Sequence, residues 1–240
     1  MKRKKCCIHI FQFTFVAIML TCLFPSLGET QDNDPKAFLQ RSRQSGEITV
    51  NWTKAAEFNF ENPAELGGFP IPEGKWEIAG GKLRAIGGDK NRAILLTKNV
   101  GDAVRIEFDA TNTKDSLGRL GDISVLLNSV DSIRFFSNGY ALTTASYWNS
   151  NTAFYRKGKP FSRTEYTPVV SGENNHIVLE FDHGHIRYWL NGVIILEAWD
   201  HSPLEMEDGK WIGIRTWATD MVVDDVVVYR GEINSGTSTK

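Results

Sequence analysis

The alternation of apolar and polar positions is most regular over residues 176–199, HIVLEFDHGHIRYWLNGVIILEAW. Ile177, Leu179 and Phe181 alternate with Val178, Glu180 and Asp182, the period-two pattern of a strand buried on one face. A second β-branched and aromatic run covers 186–190. Asp182-His183-Gly184 separates the two runs, and Asn191-Gly192 is the dipeptide favoured where both central turn residues take positive φ. The pattern predicts a β-meander over this stretch.

Similar short runs occur on both sides of it. Strands are predicted over 48–52, 56–60, 93–96, 103–110, 123–127, 133–136, 141–148, 153–156, 211–217 and 222–229, and a hairpin over 76–85 around Gly80-Gly81. The polar, Gly-containing stretch 112–121 and residues 161–175 and 201–210 read as loops. No helical periodicity is sustained outside the N-terminal segment, and no repeat of fixed period is visible. The expected fold is all-β, an antiparallel two-sheet, jelly-roll-like sandwich.

The N-terminus changes the picture of where this sandwich works. Residues 1–5 carry four positive charges, 8–24 are mostly apolar, and Pro25-Ser26-Leu27-Gly28 follows. That is the layout of a secretory signal peptide cleaved after Gly28. The competing reading is an uncleaved membrane anchor, for which the apolar segment is short and is interrupted by Gln12, Thr14 and Thr21. The expected organisation is therefore a signal peptide 1–28, a polar linker 29–46, a sandwich 47–230 and a flexible tail 231–240. The expected location is secreted or periplasmic, with no membrane attachment after the signal is removed.

Cys6, Cys7 and Cys22 all lie in the segment to be removed, so the mature chain has no thiol and rests on core burial rather than disulfides. Taking the four basic residues at 2–5 from 27 leaves 23 against 29 acidic ones, a net charge of −6. The basic residues form no stripe, which argues against nucleic acid as a partner.

Candidate chemistry lies in the aromatic residues. A sugar ring presents an apolar C–H face and a rim of hydroxyls, so a glycan site needs flat rings beside Arg, Asn or acidic side chains. Tyr140, Tyr147, Trp148, Arg215 and Trp217 fit that description. Counting alternate residues places Tyr140, Leu142, Thr144, Ser146 and Trp148 on one face of one strand. Trp211, Gly213, Arg215 and Trp217 lie opposite Ile212 and Ile214 on another. The expected partner is an oligo- or polysaccharide bound in a concave groove. His183 and His185 form an HxH pair, but Gly184 puts them in a turn and no third ligand is specified by spacing.

Several phrases resemble the concanavalin A-like lectin/glucanase superfamily: W-x-I-x-x-G-x-L from Trp76 to Leu83, YWLNG from Tyr188 to Gly192, and IGIRTW…DDVVVYR from Ile212 to Arg230. Within it the chain most resembles bacterial 3-keto-disaccharide hydrolase-like domains, over roughly residues 51–230. The resemblance implies a sandwich that either binds a glycan or cleaves a modified glycoside, with Glu107, Asp109 or a histidine as general acid or base. β-Glucanases of the superfamily carry Glu-x-Asp-x-x-Glu on one strand. Glu107-Phe108-Asp109 and Glu180-Phe181-Asp182 match only its first half, and both lack the last acid. The resemblance also implies a structural calcium ion, with Asn59, Glu61, Asp224 and Asp225 as its oxygen ligands. A binding module, a glycoside hydrolase or lyase, and a structural or interaction domain all remain open at this point.

Overall fold

The computed structural model describes residues 48–86, 90–114, 118–132 and 135–235; the expected signal peptide and linker lie outside the described residues. The strands are β1 (Ile48–Phe58), β2 (Lys75–Ile78), β3 (Leu83–Ile86), β4 (Asn91–Lys98), β5 (Ala103–Asn112), β6 (Asp122–Ser129) and β7 (Tyr140–Ala145). They continue with β8 (Asn151–Arg156), β9 (Lys159–Thr164), β10 (Asn175–Asp182), β11 (His185–Leu190), β12 (Val193–Trp199), β13 (Trp211–Trp217) and β14 (Met221–Ser235). An eight-stranded sheet has the order β12-β11-β10-β5-β14-β3-β2, with β1 also paired to β14. A six-stranded sheet has the order β4-β13-β6-β7-β8-β9. The two pack face to face as an all-β antiparallel sandwich.

Period-two alternation builds the layer between them. Val104, Ile106, Phe108 and Ala110 of β5 are fully buried and meet Ile123 and Val125 of β6 and Ile212 and Ile214 of β13 in one core cluster. Each of the Val, Ile and Phe side chains contributes about 1.5 to 3 kcal/mol on burial. In β14 the register shifts between Asp224 and Val227, with Asp225 at φ 50°. This bulge lets Val223, Val226 and Val228 all point inward although their spacing is not a simple alternation.

The meander forms as its turns predict. His183 and Gly184 take φ 51° and 95°, and Asn191 and Gly192 take φ 51° and 77°.

Four local expectations fail. The strand predicted over 133–136 gives way to a helical turn at Phe135–Asn138. The strand predicted over 141–148 ends at Ala145, which adopts φ 57° and sends Ser146–Asn149 into a second helical turn. Alternation counted from Tyr140 therefore does not extend to Trp148. A strand, β9, occupies part of the predicted loop 161–175; its Pro160 is tolerated because β9 is an edge strand. β14 continues through 231–235, paired with β1 as far as Ile48 opposite Ser235, where a flexible tail is predicted.

Candidate functional site

On β13, Ile212, Ile214 and Thr216 are fully buried, while Arg215 and Trp217 turn to the outer face of the six-stranded sheet. Gly213 permits the close approach to β4 there, since a Cβ would fall 2.4 Å from Ile94 O. The same outer face carries a second apolar cluster, Ala93, Leu95, Leu126, Ala141, Ala153 and Tyr155, against which Phe136 and Trp211 pack. Three of its six residues are alanines, which leave room above the sheet. Next to this cluster a pocket of about 270 Å³ opens between Asp122, Arg215 and Trp217 on one side and Tyr155 and Phe136 on the other. Thr143, Ser146 and Gly158 complete its lining.

Asp122 begins β6 and sits directly across the strand pair from Trp217. Arg215 Nη1 donates to Asp122 Oδ2 at 2.8 Å and to Ser124 Oγ at 3.3 Å, and its Nη2 donates to Asn91 Oδ1. The guanidinium carbon lies 5.0 Å from the centre of the Phe136 ring. The group is thus fixed from the sheet below and by a ring from the side. The side chains of Asp122 and Arg215 are only 7% and 11% exposed. Burial pushes the Asp122 carboxyl above the usual carboxylate range, against the pull of Arg215 in the other direction. The Trp217 N–H and the Ser124 hydroxyl also favour the Asp122 carboxylate, while Asp122 Oδ1 and Arg215 Nε, both buried, lack a hydrogen-bond partner of good geometry.

Of the residues expected to bind a glycan, Arg215 and Trp217 come together in this pocket. Tyr140 does not. Its ring is 4% exposed and lies in the inter-sheet core, 4.9 Å from that of Phe181. Its hydroxyl donates to Asp200 Oδ2 at 2.6 Å and accepts from the Leu204 N–H at 2.8 Å. Burial and the Asp200 carboxylate raise its pKa far above that of a free phenol. The backbone of Tyr147 and Trp148 lies in the helical turn Ser146–Asn149; their side chains are outside the described part of the structure.

Glu107 and Asp109 lie elsewhere. Both project from β5 on the outer face of the eight-stranded sheet, so the whole sandwich separates them from Arg215 and Trp217. Glu107 pairs with Arg105. Glu180, directly opposite both Arg105 and Arg187 in register, bridges them at 3.0 and 2.6 Å. Burial raises the Glu180 carboxyl while the two arginines lower it. Asp109 accepts from Asn174 Nδ2 at 2.8 Å, and His176 Nδ1 lies 2.8 Å from its other oxygen. These acids form a cross-strand charge ladder. Glu107 and Asp109 therefore do not share a cleft with Arg215 and Trp217.

The HxH pair is split as well. His183 Nδ1 lies 2.7 Å from Asp182 Oδ1, whereas His185 stacks on Trp199 at 3.8 Å and meets Glu197 through Nε2.

The donors implied for calcium do not fit the ion. Asp224 is paired with the Lys82 ammonium and also accepts from the Asp225 N–H at 3.0 Å, while Asn59 Oδ1 accepts from the Glu61 N–H at 3.4 Å. Among the described residues no group of three or more His, Cys, Asp or Glu is arranged to hold a metal. Lys82 already supplies a positive charge where the ion is expected. No helix among the described residues is long and apolar enough to cross a membrane.

No protein-family model matches the chain, and no curated protein does. Solved structures do. A carbohydrate-binding module, CBM66, from Bacillus subtilis superposes with a TM-score of 0.57 at 18% identity, covering 68% of this chain and 96% of its own. A Bacillus subtilis protein of unknown function with a galectin-like fold gives a TM-score of 0.61 at 12% identity, covering 75% and 99%. Arcelin-5, a lectin-like defence protein from Phaseolus vulgaris, gives 0.54 at 13%, covering 78% and 100%. At these identities the likeness is one of fold, and the fold is that of the concanavalin A-like sandwiches.

Proposed function

We propose that this chain is an exported carbohydrate-binding domain that takes an oligo- or polysaccharide at Trp217, Arg215 and Asp122. The observation that carries the reading is the Asp122–Arg215 pair, buried beside Trp217 in a pocket on the outer face of the six-stranded sheet. A buried ion pair is a poor device for stability, because desolvation offsets most of the attraction. Hydrogen-bonding groups next to an aromatic ring suit a ligand with an apolar face and a hydroxyl rim. The fold is shared with a protein described as a carbohydrate-binding module, which supports the same reading.

Binding is favoured over cleavage. Glycoside hydrolysis ordinarily uses two carboxyl groups flanking the scissile bond, about 5 to 9.5 Å apart. The described lining of the pocket offers one, Asp122, and Arg215 holds it. Calcium has no role in this reading, since Asp224 is engaged by Lys82. Export follows from the N-terminal charge and apolar pattern.

The test is a screen of the secreted protein on a polysaccharide and oligosaccharide array, with mass spectrometry for products. Binding without product release is the expected result. Product release from any glycan would contradict a purely binding role, and no retention on any glycan would overturn the assignment.

A further inference from the structure

Resting on that reading, we propose that the pocket selects an uncharged sugar through two neighbouring hydroxyls, one donating to Asp122 and the other accepting from Arg215. The ion pair then serves recognition rather than folding.

Three observations lead there. The first is unmet hydrogen-bonding capacity. Asp122 Oδ1 is a buried acceptor and Arg215 Nε a buried donor, each without a partner of good geometry, and both belong to residues lining the pocket. Groups left so in a folded interior call for an explanation, and a ligand that completes them supplies one. An acceptor and a donor on two paired side chains suit a vicinal diol, in which one hydroxyl gives a proton and its neighbour receives one. Both atoms are closed to solvent in this conformation. On this proposal Phe136, partly buried with its ring 5.0 Å from the guanidinium carbon, would shift to admit the sugar.

The second is charge. Among the described residues of the lining, Asp122 and Arg215 carry the charges, and they cancel. A uronate or sulfated sugar would set its anion beside Asp122 with no second cation among the described lining residues to meet it. A neutral ring meets no such penalty.

The third is rigidity and size. Asn91 and Ser124 anchor the guanidinium, so its donors are aimed before a ligand arrives and little side-chain freedom is lost on binding. The pocket, about 270 Å³, has room for one sugar ring lying beside Trp217.

The experiment uses the full chain and an array of glucose-, galactose- and mannose-terminated oligosaccharides, with glucuronate- and galacturonate-terminated counterparts. The best neutral binder is then titrated alongside its monodeoxy analogues. Loss of either hydroxyl of the diol is expected to weaken binding at least tenfold, as is Asp122→Asn. The double variant Asp122→Leu with Arg215→Met is expected to keep or raise the melting temperature while losing binding, which separates recognition from folding. Preference for the uronates would overturn the inference, and so would a double variant that melts far below the wild type. Deoxy analogues and Asp122→Asn binding like the parent, while Trp217→Ala abolishes binding, would sink the inference and leave the glycan-binding reading intact. Absence of wild-type binding to every sugar would remove both.

Discussion

Asp122 Oδ2 accepts from Arg215 Nη1 at 2.8 Å across the β6–β13 strand pair, and both side chains are almost fully enclosed. Strand pairing brings them together. Arg215 leaves the same face of β13 as Trp217, so one strand supplies the ring and the cation and its neighbour supplies the acid.

That enclosure gives stability and binding opposite pH dependences. The folded-state pKa of Asp122 is raised by burial, so the native state holds its proton more tightly than the unfolded chain. Stability relative to Asp122→Asn therefore rises as pH falls through the folded-state value, and levels off below the unfolded one near 3.9. Glycan binding through the carboxylate falls over the same range. Chemical denaturation and calorimetric titration across pH check the two trends, and parallel curves for wild type and variant would contradict the assignment.

Tyr140 is expected to behave as a core residue. Tyr140→Phe removes the bonds to Asp200 and the Leu204 N–H, which should cost about 1 to 3 kcal/mol of stability. Glycan affinity of the folded variant should be unchanged. Denaturant titration and affinity measured on the same preparation provide the check; lost affinity at wild-type stability would move Tyr140 back to the site.

Calcium should not stabilise the chain. With Lys82 on Asp224, melting curves in millimolar calcium and in chelator are expected to coincide. A ligand that binds only the native state must raise the melting temperature, so a calcium-dependent rise would show that the ion displaces the ammonium.

Export predicts a mature chain beginning near Glu29 with no cysteine. N-terminal sequencing and thiol titration of secreted material check this. A chain retaining Cys22 would contradict it.

The sandwich was legible in sequence because local signals sufficed. Ile212 and Ile214 against Arg215 and Trp217 show both faces of β13, and Asn191-Gly192 marks the β11–β12 turn without tertiary help. The site was half legible. Asp122 sits between Gly121 and Ile123 like any acid at a strand start, and its partner is 93 residues away. Only sheet order reveals the pair. The same distance effect hid Lys82, which reaches Asp224 across 142 residues. Trp148 was placed on a strand face because nothing in an alanine announces the left-handed turn at Ala145. Where Glu107 and Asp109 lie relative to the aromatic residues is not legible, because alternation assigns a face within a sheet but not which sheet.

The central claim is that the glycan site lies over β13 and β6, and not on the face bearing Glu107. The most direct measurement is the affinity of Trp217→Ala and Glu107→Gln for one array-selected glycan, with melting temperatures recorded for both. Trp217→Ala should weaken binding by about 1 to 4 kcal/mol without unfolding the domain. Trp76→Ala, at a ring only 4% exposed, should instead lose about 3 to 5 kcal/mol of stability and serves as the core control. Glu107→Gln, at a partly exposed ion pair, should leave affinity unchanged and cost at most about 1 kcal/mol of stability. Unchanged affinity in Trp217→Ala together with lost affinity in Glu107→Gln would place the site on the opposite sheet and contradict the account.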